Sequence, residues 1–296
     1  MHAASAPELH NLAEQRAFYG KWNDNRLAEM RRHFRTVERR QVISGVPVDV
    51  VTPAGGVPAG NRLRVLINIH GGGFMWGAGS GALVEAIPIA ATGGYEVVTV
   101  DYRLTPEHHY PAASEDVTTV YRALLKHFPA RNIGIYGCSA GGIITAQSVA
   151  WFRKIGLPRP GAIATLCGTG APFSGDSPIL AEALGGQSPV TTLPTVLPTP
   201  YLAGVAATDS QAYPLNSPQE TAAFPPTLML AGSRDFTSSS LTLADRRLAA
   251  ANVASELHLF DGLPHAFFVW PDLPESQEAY RLIDRFFDHY LGRSRR

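Results

Sequence analysis

The sequence NIGIYGCSAGGIITAQSVAWF, residues 132–152, joins a short apolar strand to a helix through the pattern Gly-x-Ser-x-Gly. The fixed positions of that pattern are Gly137, Ser139 and Gly141. Glycines permit a sharp turn that lifts the serine hydroxyl above a sheet, at the positive end of the following helix. A tight structural turn is the alternative, but the strand-helix context favours a catalytic nucleophile, and we predict that role for Ser139.

A serine hydroxyl is a poor nucleophile without a base, so a histidine oriented by a carboxylate is expected elsewhere in the chain. Asp235 follows the predicted strand TLMLAG, and His265 follows the predicted strand ELHLF. The order serine, aspartate, histidine is typical of a nucleophile on this kind of turn. We predict that Asp235 and His265 are the partners of Ser139. A helix N-cap for Asp235, an ordinary loop role for His265, and Asp261 as a rival acid stay open.

A glycine-rich loop with the sequence HGGGF, residues 70–74, follows the predicted strand RVLINI. Glycines let backbone N–H groups point at a developing oxyanion, and losing one such donor typically costs about 3–4 kcal/mol. A loop of purely structural glycines is the alternative. We predict that the oxyanion hole is formed by the N–H groups of Gly71, Gly72, Gly73 and Ala140.

A second arrangement of the same residue types exists, because His70, Asp101 and Ser139 occur in the order histidine, aspartate, serine. An unrelated class of serine hydrolases uses that order. The context argues against it, since His70 opens the glycine loop directly after a strand. We therefore prefer His265 to His70 as the base.

Aromatic residues near the loop motifs predict an apolar substrate pocket, with Phe74, Trp76 and Phe267 as substrate-binding residues. Core packing is the alternative for some of them. The adjacent His108-His109 lack an acid or a further histidine at ligand spacing, so no metal site is predicted. No phosphate-binding glycine motif is present either, and we expect no cofactor.

Composition limits the class of partner. The chain has 25 basic and 25 acidic residues, so its zero net charge does not favour nucleic acid or anionic lipid. No uncharged apolar run approaches the roughly 18 residues of a membrane span, and the first residues do not resemble a signal peptide. Two cysteines, Cys138 and Cys167, do not indicate a disulfide framework. We expect a soluble, cytoplasmic protein whose partner is a small molecule, with no nucleic-acid or membrane partner.

Apolar periodicity divides the 296 residues into three zones. Residues 1–44 predict two amphipathic helices, broken near Gly20, that need a surface to cover. Strands alternate with helices over residues 45–169 and 219–296, which predicts one α/β domain with a mostly parallel sheet. Prolines interrupt the pattern between residues 170 and 218, and that stretch is predicted to be an insertion.

These motifs together resemble the hormone-sensitive-lipase-like carboxylesterases of the α/β-hydrolase fold. The resemblance rests on HGGGF at 70–74, DYRLTPEHHYPAASED at 101–116, GCSAGG at 137–142, Asp235 and HAF at 265–267. It implies a central sheet flanked by helices, with a helical cap formed by residues 1–44 and 170–218. It also implies a Ser139-His265-Asp235 triad that forms an acyl-enzyme, and a homodimer of the kind that relatives often form. The expected activity is hydrolysis of short- to medium-chain acyl esters.

The chain departs from the family pattern at sites close to the motifs. Cys138 stands where the family usually has an aspartate, and Phe236-Thr237-Ser238 replaces the usual Pro-Leu and second acid after Asp235. A lactone or amide hydrolase on the same triad stays open as an alternative. A non-catalytic receptor on the same fold is less favoured, because such proteins typically lose the histidine that this chain retains as His265.

Overall fold

Strands and helices alternate through the computed structural model of the chain, which describes residues 11–184, 192–193 and 197–292. Its strands are β1 Thr36–Ile43, β2 Val46–Pro53, β3 Val65–Ile69, β4 Glu96–Val100, β5 Ile133–Cys138, β6 Ala162–Leu166, β7 Thr227–Gly232 and β8 Ser255–Phe260. Its helices are α1 Leu12–His33, α2 Ser80–Gly93, α3 Ala112–Leu124, α4 Ala140–Lys154, α5 Ser177–Leu184, α6 Pro218–Thr221, α7 Ser238–Ala250 and α8 Pro274–Tyr290.

The eight strands form one sheet in the order β1-β2-β4-β3-β5-β6-β7-β8. The β1–β2 and β2–β4 pairs are antiparallel, and all the other pairs are parallel. The prediction of a mostly parallel sheet flanked by helices is confirmed. Parallel strands end at a common edge, so the loops that follow β3, β5, β7 and β8 meet there, as in other open α/β sheets that bind ligands.

Helices cover both faces of the sheet, which explains the continuous apolar runs of its central strands. Ile67 of β3 packs in a core with α3, α4 and α7, while its neighbour Leu66 points to the opposite face and packs with α1, α2 and α8. Because the side chains of these strands alternate between two buried faces, nearly all of them are apolar, and the few polar ones, such as Asn68 and Thr99, are buried. Among the described helices, none has the length and hydrophobicity needed to cross a bilayer.

The prediction for the first 44 residues was wrong in two respects. One helix, α1, runs unbroken through Gly20 and includes the stretch predicted as a second helix, and the segment that follows it forms β1 at the edge of the sheet. A single glycine costs a helix only about 1 kcal/mol relative to alanine, so Gly20 alone does not end it. The sequence does not predict β1, because this edge strand carries exposed charged residues and lacks the regular apolar alternation that indicates a strand. Residues 1–10 of the predicted zone lie outside the described residues.

The predicted insertion follows β6 and contains α5, although residues 185–191 and 194–196 lie outside the described part of the chain. Its described remainder is tied to the α/β domain by a buried tyrosine. The ring of Tyr201 stacks on Phe74 with a centroid separation of 4.6 Å, and its hydroxyl accepts a hydrogen bond from the backbone N–H of Ala113 at 3.3 Å. The described part of the insertion therefore packs beside the sheet edge.

Candidate active site

Ser139 lies at the turn between β5 and α4, where the parallel strands end. Its φ of 56° is in the left-handed region, and its backbone N–H donates to the carbonyl of Leu166 at 2.8 Å. A Cβ on Gly141 would lie 1.8 Å from the carbonyl oxygen of Ile69, so only glycine allows the helix to approach β3 this closely. The turn thus places a partly exposed serine hydroxyl at the start of a fifteen-residue helix.

His265 and Asp235 form a hydrogen-bonded pair at the same edge. The His265 Nδ1 lies 2.9 Å from each carboxylate oxygen of Asp235, which is fully buried. Burial by itself raises the pKa of Asp235, but the imidazole and hydrogen bonds from the backbone and hydroxyl of Thr237 outweigh burial, and the net pKa is lowered. Asp235 is therefore an ionised carboxylate, and it fixes the orientation and the tautomer of His265.

The residues of the alternative assignments make hydrogen bonds and ring contacts with other partners than His265 and Asp235. Asp261 is exposed, and its carboxylate lies 3.1 Å from the hydroxyl of Ser233. His70 is fully buried and stacks on Tyr102 with a centroid separation of 4.3 Å. Asp101 accepts a hydrogen bond from the backbone N–H of Gly79 and pairs with Arg40. These contacts give all three alternative residues structural roles.

The glycine loop after β3 lies against the turn that carries Ser139. Gly72 has a φ of 115°, and a Cβ there would lie 2.1 Å from the carbonyl oxygen of Trp76. The N–H of Gly71 does not fit its predicted role, because it donates to the Glu85 carboxylate at 2.8 Å. The oxyanion prediction for Gly71 is therefore wrong. The candidate donors that keep the predicted role are the N–H groups of Gly72, Gly73 and Ala140.

A cavity of about 420 Å³ opens over these residues. Ser139, His265 and the three loop glycines line its base, and its walls are mainly aromatic. The wall residues include Tyr19, Trp22, Trp76, Phe236 and Trp270. A mostly apolar concave site with a few convergent polar groups is typical of small-molecule binding.

Two of the three predicted pocket aromatics lie elsewhere. Trp76 lines the cavity as expected, but Phe74 and Phe267 are buried in the cores on either side of the sheet. The glycine turn before Phe74 sends its ring to Tyr201, while Phe267 packs on Phe260 with centroids 4.9 Å apart. Their predicted contact with substrate is wrong, because closeness in sequence to a motif does not determine the side to which a ring points.

Sequence reasoning missed several cavity residues, among them Tyr19 and Trp22 of α1 and Glu85 of α2. The two aromatic residues are three positions apart on one helix, a spacing that places them on one face. Glu85 is the only ionisable residue in the apolar stretch SGALVEAIPIAATG. A lone carboxylate in an otherwise buried helix was the signal that could have identified it.

Glu85 is partly exposed to the cavity, and its carboxylate is the only acidic group on the described wall. Burial raises the pKa of Glu85 to about 7, against the opposing effect of hydrogen bonds from Gly71, Asn68 and the backbone of Cys138. A desolvated carboxylate held by several donors beside a candidate nucleophile is the kind of perturbed group that concentrates at functional sites.

The two free cysteines, Cys138 and Cys167, are buried next to the site, and Cys138 also lines the cavity. A hydrogen bond to Cys167 favours the Cys138 thiolate, but burial and the nearby carboxylates Glu85 and Asp235 oppose it and raise the pKa of Cys138 to about 11. Burial also raises the pKa of Cys167 well above its usual range. Ligand atoms of Cys167, Asp235 and His265 lie within 4.8 Å of one another and could hold a metal ion. The protonated thiol and the direct His265–Asp235 hydrogen bond favour the metal-free arrangement.

The eight-stranded sheet, the serine turn after β5 and the histidine-carboxylate pair after β7 and β8 define an α/β-hydrolase. A family model described as "alpha/beta hydrolase fold" matches residues 66–269. The chain belongs to this family. Its likeness to individual proteins narrows the assignment to the hormone-sensitive-lipase-like carboxylesterases within it.

Three relatives illustrate this likeness. Esterase LipU of Mycobacterium tuberculosis is 28% identical over 87% of this chain and 88% of its own length. An acetyl-hydrolase of Streptomyces hygroscopicus is 28% identical over 79% of each chain. The crystal structure of an esterase from the bacterial hormone-sensitive lipase family superimposes with a TM-score of 0.82 at 27% identity, covering 98% of this chain and 94% of that one.

Proposed function

We propose that this chain is a serine carboxylesterase that hydrolyses short- to medium-chain acyl esters through an acyl-enzyme on Ser139. The observation that carries the proposal is the buried Asp235 carboxylate, 2.9 Å from the Nδ1 of His265, which lines the same cavity as Ser139. The names of the esterase relatives support the same bond type. The known arrangement of nucleophile, base and orienting carboxylate accounts for each of these three residues.

In the proposed reaction, the Ser139 hydroxyl oxygen adds to the ester carbonyl carbon while His265 accepts its proton. The carbonyl electron pair moves onto oxygen, and the resulting oxyanion is stabilised by the N–H groups of Gly72, Gly73 and Ala140. Collapse re-forms the carbonyl and breaks the bond to the alcohol, which leaves with the proton from His265. A water molecule then repeats both steps on the acyl-enzyme, releasing the acid and restoring Ser139.

The cavity supports neutral substrates of limited size. Its volume of about 420 Å³ is near the lower end of the usual range of roughly 300–1,000 Å³ for ligand sites. Among the described residues that line it, none is a lysine or arginine, and Glu85 is acidic. An ester with an anionic acyl group would meet repulsion and no cationic partner. Uncharged acyl groups in the acetate-to-octanoate range fit the aromatic walls best.

The test is a series of initial rates on p-nitrophenyl esters from acetate to palmitate, with wild type beside Ser139→Ala and His265→Ala. We expect wild-type activity that declines beyond medium chain length, and a loss on the order of 10⁴-fold or more in both variants. The matched control is Ser148→Ala, which removes a buried serine hydroxyl from the same helix as the turn. Circular dichroism of each variant verifies that the fold persists.

Two results would contradict the proposal. An inert wild type across the whole ester series would exclude this activity and favour an amide substrate or a binding role. Retention of more than about 1% of wild-type turnover in a folded Ser139→Ala protein would exclude Ser139 as the nucleophile, because removing a triad nucleophile leaves far less.

A further inference from the structure

Glu85 has no step in the proposed reaction, yet its carboxylate lies between the two segments that supply the oxyanion donors. It projects from α2, whose other residues in the stretch 80–93 are all non-ionisable. Ionised carboxylates are almost never placed in such surroundings unless partners satisfy them. The partners of Glu85 therefore indicate what it does.

Those partners come from three separate segments. Glu85 Oε1 accepts the backbone N–H of Gly71 at 2.8 Å, and Oε2 accepts the side-chain amide of Asn68 at 3.1 Å. Asn68 is itself held by the Thr99 hydroxyl, which donates to its side-chain oxygen at 2.8 Å. The backbone of Cys138, the residue before Ser139, adds a further hydrogen bond to the carboxylate. One side chain thus links β3, the start of the glycine loop and the end of β5.

The same contacts restrict the glycine loop. With its N–H committed to Glu85, Gly71 becomes the fixed end of the loop, and the next two glycines line the cavity. Gly71 also packs tightly on the serine turn, since a Cβ there would lie 3.0 Å from the carbonyl oxygen of Cys138 and 3.3 Å from Ser139 Cβ. A small displacement of Gly71 would therefore move the loop donors relative to the serine.

We propose that Glu85 is a positioning residue, which holds the glycine loop against the serine turn so that the donors of Gly72, Gly73 and Ala140 converge on one oxyanion. The role rests on the esterase function proposed above. It assigns Glu85 no contact with the reacting atoms. Because oxyanion stabilisation depends on donors held in place before the reaction, loss of Glu85 should affect the transition state more than substrate binding.

The experiment compares Glu85→Ala and Glu85→Gln with wild type on p-nitrophenyl butyrate. We expect kcat to fall about 100-fold in Glu85→Ala, the scale of a roughly 1 Å misplacement, with KM changed less than about threefold. Glu85→Gln keeps one acceptor oxygen for Gly71 but presents a donor to Asn68, so its kcat should fall about tenfold. Affinity for a trifluoromethyl ketone, whose serine adduct carries an oxyanion, should fall in parallel with kcat/KM.

The matched control is Asp284→Asn. Burial raises the pKa of Asp284 to about 7, as it does for Glu85, but Asp284 lies on α8, away from the cavity. It should keep wild-type kcat and ketone affinity. If Glu85→Ala does not fold, the near-isosteric Glu85→Gln decides the question. A folded Glu85→Gln with wild-type kcat and ketone affinity would overturn the inference, and so would a loss confined to KM. Inactivity of the wild type would instead remove the proposed function.

Discussion

The two sides of the cavity are held in place by different kinds of contact. The base is fixed by buried groups at the ends of parallel strands, where Asp235 is 0% exposed and bonded to both His265 and Thr237. The opposite wall is α1, which presents Tyr19 and Trp22 to the cavity. The Tyr19 ring stacks on Trp76, with centroids 4.2 Å apart and planes within 6°.

The far half of α1 is buried through Leu27 and Met30, but the charged contacts that hold its cavity end are closer to the surface. Arg16 donates to both Glu107 carboxylate oxygens at 2.6 and 2.7 Å, and to the backbone carbonyls of Met75 and Thr105. The two charged side chains are 32% and 50% exposed, so solvent and salt screen their attraction. We therefore predict that the proposed chemistry depends on the sheet, whereas substrate selection depends on the cavity end of α1, whose charged contacts are exposed.

The largest expected effect on kcat comes from a substitution beneath the cavity, at Asp235. Asp235→Asn should lower kcat by about 10³- to 10⁴-fold, because the amide no longer holds His265 in the tautomer that accepts a proton from serine. Steady-state rates on p-nitrophenyl butyrate measure the loss. Asp261→Asn removes the rival carboxylate and should retain wild-type rates; equal losses in the two variants would contradict the assignment of the orienting acid.

On the α1 wall, an intermediate effect on selectivity is expected. Tyr19→Ala should raise the ratio of kcat/KM for octanoate over acetate about tenfold, because removing the ring enlarges the cavity at its aromatic side. Tyr19→Phe keeps the stack on Trp76 and should leave the ratio unchanged. If both variants shift the ratio equally, or neither does, then α1 does not select acyl length.

The smallest expected effect concerns the attachment of α1. Arg16→Gln should raise KM about threefold at low salt with little change in kcat, since an exposed ion pair contributes modestly. Added NaCl should raise KM of the wild type toward that of the variant, which itself should not respond. The control is Arg31→Gln, which lies on the same helix but away from the cavity and loses its ion pair with Glu38 of β1. A salt-independent difference in KM would assign the effect to the backbone contacts of Arg16.

The sheet and its motif loops were predictable because their signals are local. A buried strand, a glycine turn and a helix follow one another within the 21 residues around Ser139, and the same logic located Asp235 and His265 at strand ends. β1 was not predictable in this way, since its stability comes from pairing with β2 and its side chains face solvent. The continuity of α1 through Gly20 likewise depends on the surface that the helix covers.

The site details that sequence reasoning missed depend on the directions in which side chains point and on contacts between residues far apart in the sequence. Whether Phe74 points into the cavity or the core follows from backbone angles in a glycine turn, which residue types do not specify. In the sequence, the N–H of Gly71 is equivalent to those of Gly72 and Gly73. It differs only because it donates to Glu85, which lies fourteen residues further along the chain. Such contacts form when separate elements pack together, so the apolar periodicity of the sequence does not predict them.

The link between α1 and the sheet has an evolutionary consequence. Phe34 and Arg35 alone join the end of α1 to β1, and β1 is the outermost strand. A different helix could replace α1 by recombination ahead of β1 without altering the strand order or the loops that carry Ser139, Asp235 and His265. On the proposed function, α1 is a separate module for substrate choice beside the catalytic frame, and exchanging α1 should change the ester preference.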